Sequence, residues 1–283
     1  MNPEQRITAF HHDGLEFEVL DTGPLTGDIV VLLHGWPQTA DCWKEVSERL
    51  NSRGYRTIMP NQRGYSMHAR PKGVFAYRMS LLVADIHELV RSINSGPVHL
   101  VGHDWGSSVA WSFSAKYPGL VRTLTSISVP HSGAFIRAMF SSDQLFRVYY
   151  MGLFQMPVLP GIIATRCRKL FRQMLGNTGM TTDDVDTVYR DVIDAGAFNT
   201  SLNWYRAMGL MSPLDLFGKV LVPVTHIWGT RDSALSRRSA ELAGRFAKGP
   251  YHLHILEEGT HWLPAQMPDE ISRLILEAIA AQP

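Results

Sequence analysis

The chain of 283 residues has few of the features that mark secreted, membrane or nucleic-acid-binding proteins. Its two cysteines, Cys42 and Cys167, fall in different predicted regions, so we expect reduced thiols and a cytoplasmic protein. No apolar stretch approaches the ~20 residues that a membrane crossing needs, and no signal peptide is expected. The net charge of +1 comes without a block of like charge, so we expect neither nucleic acid nor a membrane as a partner.

Apolar runs alternate with helical patterns through most of the sequence. The run at residues 29–33 is continuously apolar, as in a strand buried on both faces. Further stretches with strand character follow at residues 56–59, 98–101, 121–129, 224–228 and 252–256. Strands that alternate with helices predict the α/β class, with a mostly parallel central sheet and helices on both faces. Ligands of such sheets bind at the carboxyl ends of the strands.

The stretch from residue 130 to residue 213 has a different character. Strand signals disappear, and the sequence becomes helical and rich in methionine and aromatic residues. We predict a helical cap (130–213) inserted into one core domain (1–129 and 214–283). Part of the apolar content of the cap should face a pocket and favour an apolar substrate. The residues concerned are Met139, Phe140, Met151, Phe154, Met156, Phe198, Met208 and Met211.

The most informative segment is Gly102–Gly106, which lies between a predicted buried strand and a predicted helix. Strand, small-x-nucleophile-x-small, helix is the pattern of a nucleophile elbow, in which the middle residue projects from the top of the sheet. That residue is Asp104. A helix-capping carboxylate is the alternative interpretation of an aspartate at this place.

An aspartate at the elbow narrows the chemistry. A carboxylate is already ionised at neutral pH and needs no base to activate it. It is suited to attack on an sp³ carbon, which gives an alkyl ester that a second step must hydrolyse. The elbow therefore points to opening an epoxide or displacing a halide.

Two further residues at predicted strand ends complete a candidate triad. Asp232 follows the strand that ends near residue 228, and His261 follows the strand that ends near residue 256. The chain order nucleophile, acid, histidine is typical of α/β-hydrolases. Asp215 is a competing acid, and Asp232 could also be a turn residue.

Other histidines compete for the role of base. His34 and His103 lie inside motifs and are expected to brace loops. His252 and His254 form a His-x-His pair, but no third ligand has suitable spacing, so we expect no metal.

These motifs resemble those of the α/β-hydrolase superfamily and, within it, the branch of epoxide hydrolases and haloalkane dehalogenases. The motifs that carry the resemblance are His34–Pro37, Arg63–Ser66, Gly102–Gly106, Asp232 and His261. The resemblance implies that Arg63 is structural. It also implies that the backbone amides of Trp36 and Trp105 form the oxyanion hole.

The cap separates the two chemistries, because epoxide hydrolases of this type bind the epoxide oxygen with two tyrosines. The first usually lies five residues before a glutamine, and Tyr150 has this spacing from Gln155, with Tyr149 as the neighbouring alternative. The second lies in an Asn-Trp-Tyr-Arg segment, which implies Tyr205. Tyr150 and Tyr205, with Trp36 and Trp105, are the implied substrate-binding residues.

Dehalogenases offer a weaker match. Haloalkane dehalogenases usually pair the tryptophan after the nucleophile with an asparagine, but Trp36 occupies the asparagine position. Fluoroacetate dehalogenases usually carry arginine where this chain has Trp105.

The sequence thus predicts an epoxide hydrolase without a cofactor or a metal. Its expected partners are a small apolar epoxide and water. Whether the chain forms a homodimer is left open. A dehalogenase with the same triad is the first alternative. A non-catalytic ligand-binding protein with the same fold is the second.

Overall fold

A computed structural model describes residues 5–94 and 96–281. This part of the chain forms one sheet of eight strands. The strands are β1 (Ala9–His12), β2 (Leu15–Thr22), β3 (Ile29–Leu33), β4 (Arg56–Pro60), β5 (Val98–His103), β6 (Val121–Ile127), β7 (Val224–Gly229) and β8 (Tyr251–Leu256).

The sheet has the order β1-β2-β4-β3-β5-β6-β7-β8. Strands β3 to β8 pair in parallel, and β2 is antiparallel to both β1 and β4. The chain starts at the edge with β1 and β2, forms β3, returns to place β4 between β2 and β3, and then crosses β3 to build the other half from β5 to β8. The carboxyl ends of β3 and β5 therefore lie side by side, where ligands of such sheets bind.

Helices cover both faces of the sheet, and the described residues contain fifteen α-helices. Those before β7 are α1 (Lys44–Ser52), α2 (Met79–Ile93), α3 (Trp105–Lys116), α4 (Ser132–Met139), α5 (Gln144–Arg147), α6 (Tyr149–Phe154), α7 (Leu159–Arg166), α8 (Arg168–Asn177), α9 (Thr182–Val188), α10 (Phe198–Ser201), α11 (Asn203–Arg206) and α12 (Pro213–Phe217). Those after β7 are α13 (Arg237–Ala243), α14 (Leu263–Gln266) and α15 (Pro268–Ala280).

The remaining helical turns are 3₁₀ or π in type. The 3₁₀ turns are Ala40–Trp43, Val74–Tyr77, Pro118–Leu120, Met208–Leu210 and Gly244–Phe246, and a π-helical turn spans Tyr189–Ile193.

The central strands are buried on both faces, because helices pack against both sides of the sheet. Successive side chains of a strand point in opposite directions, so alternate residues enter different cores. Val31 and Leu33 pack into the core that contains α2 and α3, whereas Val30 and Leu32 pack into the core that contains α1 and α15. This two-sided burial explains why the sequence of β3 is continuously apolar.

The segment between β6 and β7 is helical, since all of residues 128–223 are described and none lies in a strand. The cap boundaries at residues 130 and 213 stay a prediction. Cys42 and Cys167 are free thiols, as expected. None of the described helices combines the length and the apolar character that a membrane crossing requires.

Candidate active site

Asp104 lies in a tight turn between β5 and α3, with φ +51° and ψ −122°. Non-glycine residues seldom adopt a positive φ, and such strain is found at functional sites. The turn needs small neighbours, because a side chain at Gly102 would overlap the Gly106 carbonyl and one at Gly106 would overlap the Leu33 carbonyl. The strand, turn and helix therefore have the geometry of a nucleophile elbow, with Asp104 at its tip.

The loop after β3 approaches the carboxylate closely. The Trp36 amide donates a hydrogen bond of 2.7 Å to Asp104 Oδ1, and the nearby Trp105 amide lowers the pKa of the carboxyl group. The approach requires glycine at position 35, because a Cβ atom there would overlap Asp104. The two amides predicted for the oxyanion hole are thus aimed at the carboxyl group of the nucleophile.

His261 lies between two carboxylates. Its Nε2 is 3.2 Å from Asp104 Oδ2, and its Nδ1 is 2.8 Å from Asp232 Oδ2. The other oxygen of Asp232 accepts hydrogen bonds of 2.8 Å from the amides of Ala234 and Leu235. The structure therefore brings the three predicted triad residues together, with His261 in the middle.

Burial and charge act in opposite directions on this triad. Burial disfavours the charged imidazole, but Asp232 and Asp104 outweigh it and raise the pKa of His261 to about 10. Burial also favours neutral Asp104, but the hydrogen bond and charge of His261 outweigh it and lower the pKa of that carboxyl. The charge of its neighbours therefore favours the protonated imidazole of His261 in the free protein.

His34 and His103 brace the loops around this triad. His34 Nε2 accepts from the Gln62 amide at 3.1 Å, so its Nδ1–H donates to the Gly35 carbonyl, also at 3.1 Å. His103 Nε2–H donates to the carbonyl of His261 at 2.8 Å. Burial lowers the pKa of both His34 and His103 to about 4, so both rings are neutral near pH 7.

The competing acid and the histidine pair lie in structural settings. Asp215 forms a capping box with Ser212 at the start of α12, and its Oδ2 accepts from the Ser212 amide at 2.9 Å. His252 and His254 lie on β8. Across residues 5–94 and 96–281, no group of three or more His, Cys, Asp or Glu side chains is arranged to hold a metal ion.

The two predicted tyrosines converge above Asp104. Tyr205, in α11, packs edge-on against the rings of Trp36 and Trp105, at centroid distances of 5.5 and 5.1 Å. The ring of Tyr150, in α6, lies 6.3 Å from that of Tyr205. Tyr149 is 77% exposed. Tyr150 is therefore the better placed of the two neighbouring tyrosines.

Burial and the nearby charge of Asp104 raise the pKa of both Tyr150 and Tyr205 well above the ordinary value. The adjacent Trp105 side chain opposes this rise of the pKa at Tyr205. Both hydroxyl groups therefore stay protonated near pH 7 and can donate to an oxygen bound between them.

Comparison with known proteins agrees with this geometry. The model of the alpha/beta hydrolase fold matches residues 28–161. The AB hydrolase superfamily protein YfhM of Bacillus subtilis is 30% identical over 277 residues, which cover 95% of this chain and 96% of that protein. Epoxide hydrolase 3 of Mus musculus is 30% identical over 266 residues, which cover 91% of this chain and 72% of that protein.

The chain belongs to the epoxide hydrolase family of the α/β-hydrolase superfamily. The family predicted from the sequence motifs and the predicted fold class are thus confirmed. The crystal structure of epoxide hydrolase A from Mycobacterium thermoresistibile has the same fold, with a TM-score of 0.84, 23% identity and coverage of 97% of this chain and 98% of that chain.

In this member of the family, two cavities meet at the catalytic residues. The smaller, of about 140 Å³, and the larger, of about 230 Å³, share Asp104, Tyr150 and Tyr205. Part of the predicted apolar content of the cap lines them, whereas Phe140 and Met156 are exposed and Phe198 is buried in the core. Met139, Met151, Met208 and Met211 line the smaller cavity, whereas Phe154 lines the larger.

The cap is fastened to the core beside Tyr205. The indole N–H of Trp204 donates to the Arg63 carbonyl of the core at 2.8 Å, whereas Gln155 Nε2 donates to the Tyr205 carbonyl at 3.1 Å within the cap. Two hydrogen bonds of 2.7 Å join the buried guanidinium of Arg63 to Asp85. Arg63 therefore has a structural role. The hydrogen bond from Gln155 to the Tyr205 backbone gives a reason for the glutamine that follows the first tyrosine.

Two residues near the triad escaped the sequence analysis. Gln144 and Arg147, both in α5, hydrogen-bond the loop that carries Asp232. The local sequence of α5 has no motif that distinguishes it from other polar helical segments. Only the folded arrangement reveals this contact.

Proposed function

We propose that the protein hydrolyses apolar epoxides to vicinal diols through a covalent ester on Asp104. The observation that carries this proposal is that the Asp104 carboxylate and the Tyr150 and Tyr205 side chains line the same two cavities. A nucleophile and two proton donors are what epoxide opening requires. The epoxide hydrolases among the relatives support the same chemistry.

In the first half-reaction, Tyr150 and Tyr205 hydrogen-bond the epoxide oxygen. One oxygen of Asp104 attacks a ring carbon, the C–O bond of that carbon breaks, and a tyrosine donates its proton to the leaving oxygen. The product is a hydroxyalkyl ester. The tyrosine regains a proton from solvent or from His261, whose imidazolium must lose its proton before the next step.

In the second half-reaction, neutral His261 deprotonates a water that attacks the ester carbonyl. The amides of Trp36 and Trp105 hold the tetrahedral oxyanion. The diol oxygen leaves with the proton from His261, and the carboxylic acid formed on Asp104 then gives its own proton to the neutral imidazole, which restores the carboxylate and the imidazolium. Alkylation itself prepares this step, because the neutral ester no longer holds the pKa of His261 high.

The tyrosines favour an epoxide over a halide as the substrate. An epoxide oxygen leaves as a basic alkoxide and benefits from an acid, whereas a halide needs only a hydrogen-bond cradle. The ring of Tyr205 packs edge-on against the indole of Trp105, the residue that would bind halide in a dehalogenase, at a centroid distance of 5.1 Å. A dehalogenase with the same triad is therefore the second candidate.

The shape of the site suggests which epoxides fit. Because Asp104 lies where the two cavities join, a substituent on each ring carbon would enter a separate cavity. We therefore propose small apolar epoxides with a shorter and a longer substituent as substrates. Water is the second reactant.

The test compares two products from the same purified protein. We expect diol from styrene oxide and no bromide from a bromoalkane, and the Asp104→Ala variant should make neither. The His261→Gln variant should undergo alkylation but hydrolyse the ester slowly. Intact-protein mass spectrometry should then show an adduct equal in mass to the added epoxide. Bromide release without diol would favour the dehalogenase.

A further inference from the structure

The short cap helix α5 contacts the loop that carries the triad acid. Gln144 is fully buried, and its Nε2 donates to the Ala234 carbonyl at 2.7 Å while its Oε1 accepts from the Ser236 amide at 2.8 Å. Arg147 Nη1 donates to the Asp232 carbonyl at 2.7 Å. Three hydrogen bonds thus tie α5 to residues 232, 234 and 236.

The same loop shapes the carboxylate of Asp232 on its other side. The amides of Ala234 and Leu235 occupy Oδ1, which leaves Oδ2 to face His261 Nδ1. Ala234 therefore contacts Asp232 through its amide and Gln144 through its carbonyl. A shift of this loop would move the carboxylate relative to the imidazole.

We propose that Gln144 is a positioning residue that sets Asp232 against His261 from the cap. This inference rests on the function proposed above and concerns its second half-reaction. Loss of the Gln144 amide would leave a carbonyl and an amide of the loop unpaired in a buried place, which is costly unless the loop moves. Arg147 assists at the third hydrogen bond.

The proposal predicts an effect on one half-reaction only, because alkylation of Asp104 needs no base, whereas ester hydrolysis needs His261 oriented by Asp232. Methionine has the length and shape of glutamine without its polar atoms. Gln144→Met should slow ester hydrolysis about 10- to 100-fold, as expected for a small misplacement of a catalytic group. The alkylation rate constant should stay within about twofold, so the ester should accumulate during turnover.

Gln155→Met is the matched control. It makes the same change elsewhere in the cap and removes the hydrogen bond to the Tyr205 carbonyl instead. Because that bond holds Tyr205, which acts in epoxide opening, Gln155→Met should slow alkylation and leave ester hydrolysis within about twofold of wild type, the reverse of the pattern expected for Gln144→Met. Equal slowing of both half-reactions by Gln144→Met would overturn the proposal, since a general loss of structure acts on both.

A second readout needs no substrate and so separates this proposal from the proposed function. The proton between His261 Nδ1 and Asp232 should give a downfield ¹H NMR signal, and Gln144→Met should shift or broaden it whereas Gln155→Met should not. An unchanged signal in a folded Gln144→Met variant would overturn the positioning role. Absence of diol formation by the wild type would instead overturn the proposed function.

Arg147→Met decides the matter if Gln144→Met does not fold. The Arg147 side chain is one-third exposed, so its loss should be tolerated better than that of a fully buried residue. It should slow ester hydrolysis more than alkylation. Equal effects on both rate constants would again contradict the proposal.

Discussion

Replacing Asp104 with asparagine should bring the pKa of His261 closer to that of an ordinary histidine. In the wild type, Asp232 and Asp104 together outweigh burial and raise the pKa of His261 to about 10. Asparagine has nearly the shape of aspartate but no charge, so it imitates the neutral ester. The variant therefore tests whether the charge of the nucleophile controls the protonation of the base.

The size of the effect follows from the geometry. His261 Nε2 and Asp104 Oδ2 are 3.2 Å apart, and two unit charges at that distance attract by about 5 kcal/mol at an effective dielectric constant of ~20. Loss of that attraction should lower the pKa of His261 from about 10 toward its ordinary value of ~6.5, while Asp232, the larger cause of the rise, still raises it. A lower pKa increases the neutral fraction of this base at pH 7, as ester hydrolysis requires.

Titration of the His261 Hε1 signal by NMR measures both values. His34 and His103, with pKa values of about 4, serve as internal controls that should stay neutral in both proteins. A His261 pKa near its ordinary value in the wild type, or one that stays above about 9 in Asp104→Asn, would refute the reasoning.

The same coupling predicts how stability depends on pH. Because folding raises the pKa of His261, its contribution to stability is fully present below the ordinary histidine pKa of ~6.5. That contribution is lost as the pH rises through about 10. The melting temperature of the wild type should therefore fall over this window. That of Asp104→Asn should change less, and parallel curves would contradict the coupling.

Three further substitutions probe the site. Tyr205→Phe should slow epoxide opening about 10²- to 10⁴-fold through loss of a proton donor, and the double variant with Tyr150→Phe should nearly abolish it. Wild-type rates of alkylation in the single variants would make these tyrosines packing residues. Asp232→Asn should slow ester hydrolysis by up to ~10⁴-fold and spare alkylation, as single-turnover kinetics would show. Gly35→Ala should lower diol formation about 100-fold, because its Cβ would displace Asp104. A normal rate would show that the loop after β3 moves to accommodate the methyl group without disturbing Asp104.

Much of the fold could be predicted because its signals are local. The continuous apolar sequence of β3 predicted a buried strand at its observed place. The start of α1 is harder to predict. Asp41 has the side chain of a good N-cap residue, but a 3₁₀ turn spans Ala40–Trp43 and the α-helix begins at Lys44. Helix ends are decided by competing hydrogen bonds that composition does not reveal.

In the candidate site too, local signals were predictable, whereas features that depend on distant contacts were not. Asp104, Asp232 and His261 each follow a strand, so parallel topology was sufficient to predict that they meet. The choice between Tyr149 and Tyr150 depends on the rotation of α6, which spacing alone does not fix. Gln144 was missed because its importance arises from a contact with residues about ninety positions away.

The most direct test of the covalent mechanism follows the oxygen of water. Water should attack the carbonyl carbon of the Asp104 ester, so the oxygen delivered to the diol comes from the carboxylate. A single turnover in ¹⁸O-water with excess enzyme should therefore give mostly unlabelled diol and a labelled peptide that contains Asp104. Labelled diol with an unlabelled peptide would mean that activated water attacks the epoxide itself, which would contradict the ester.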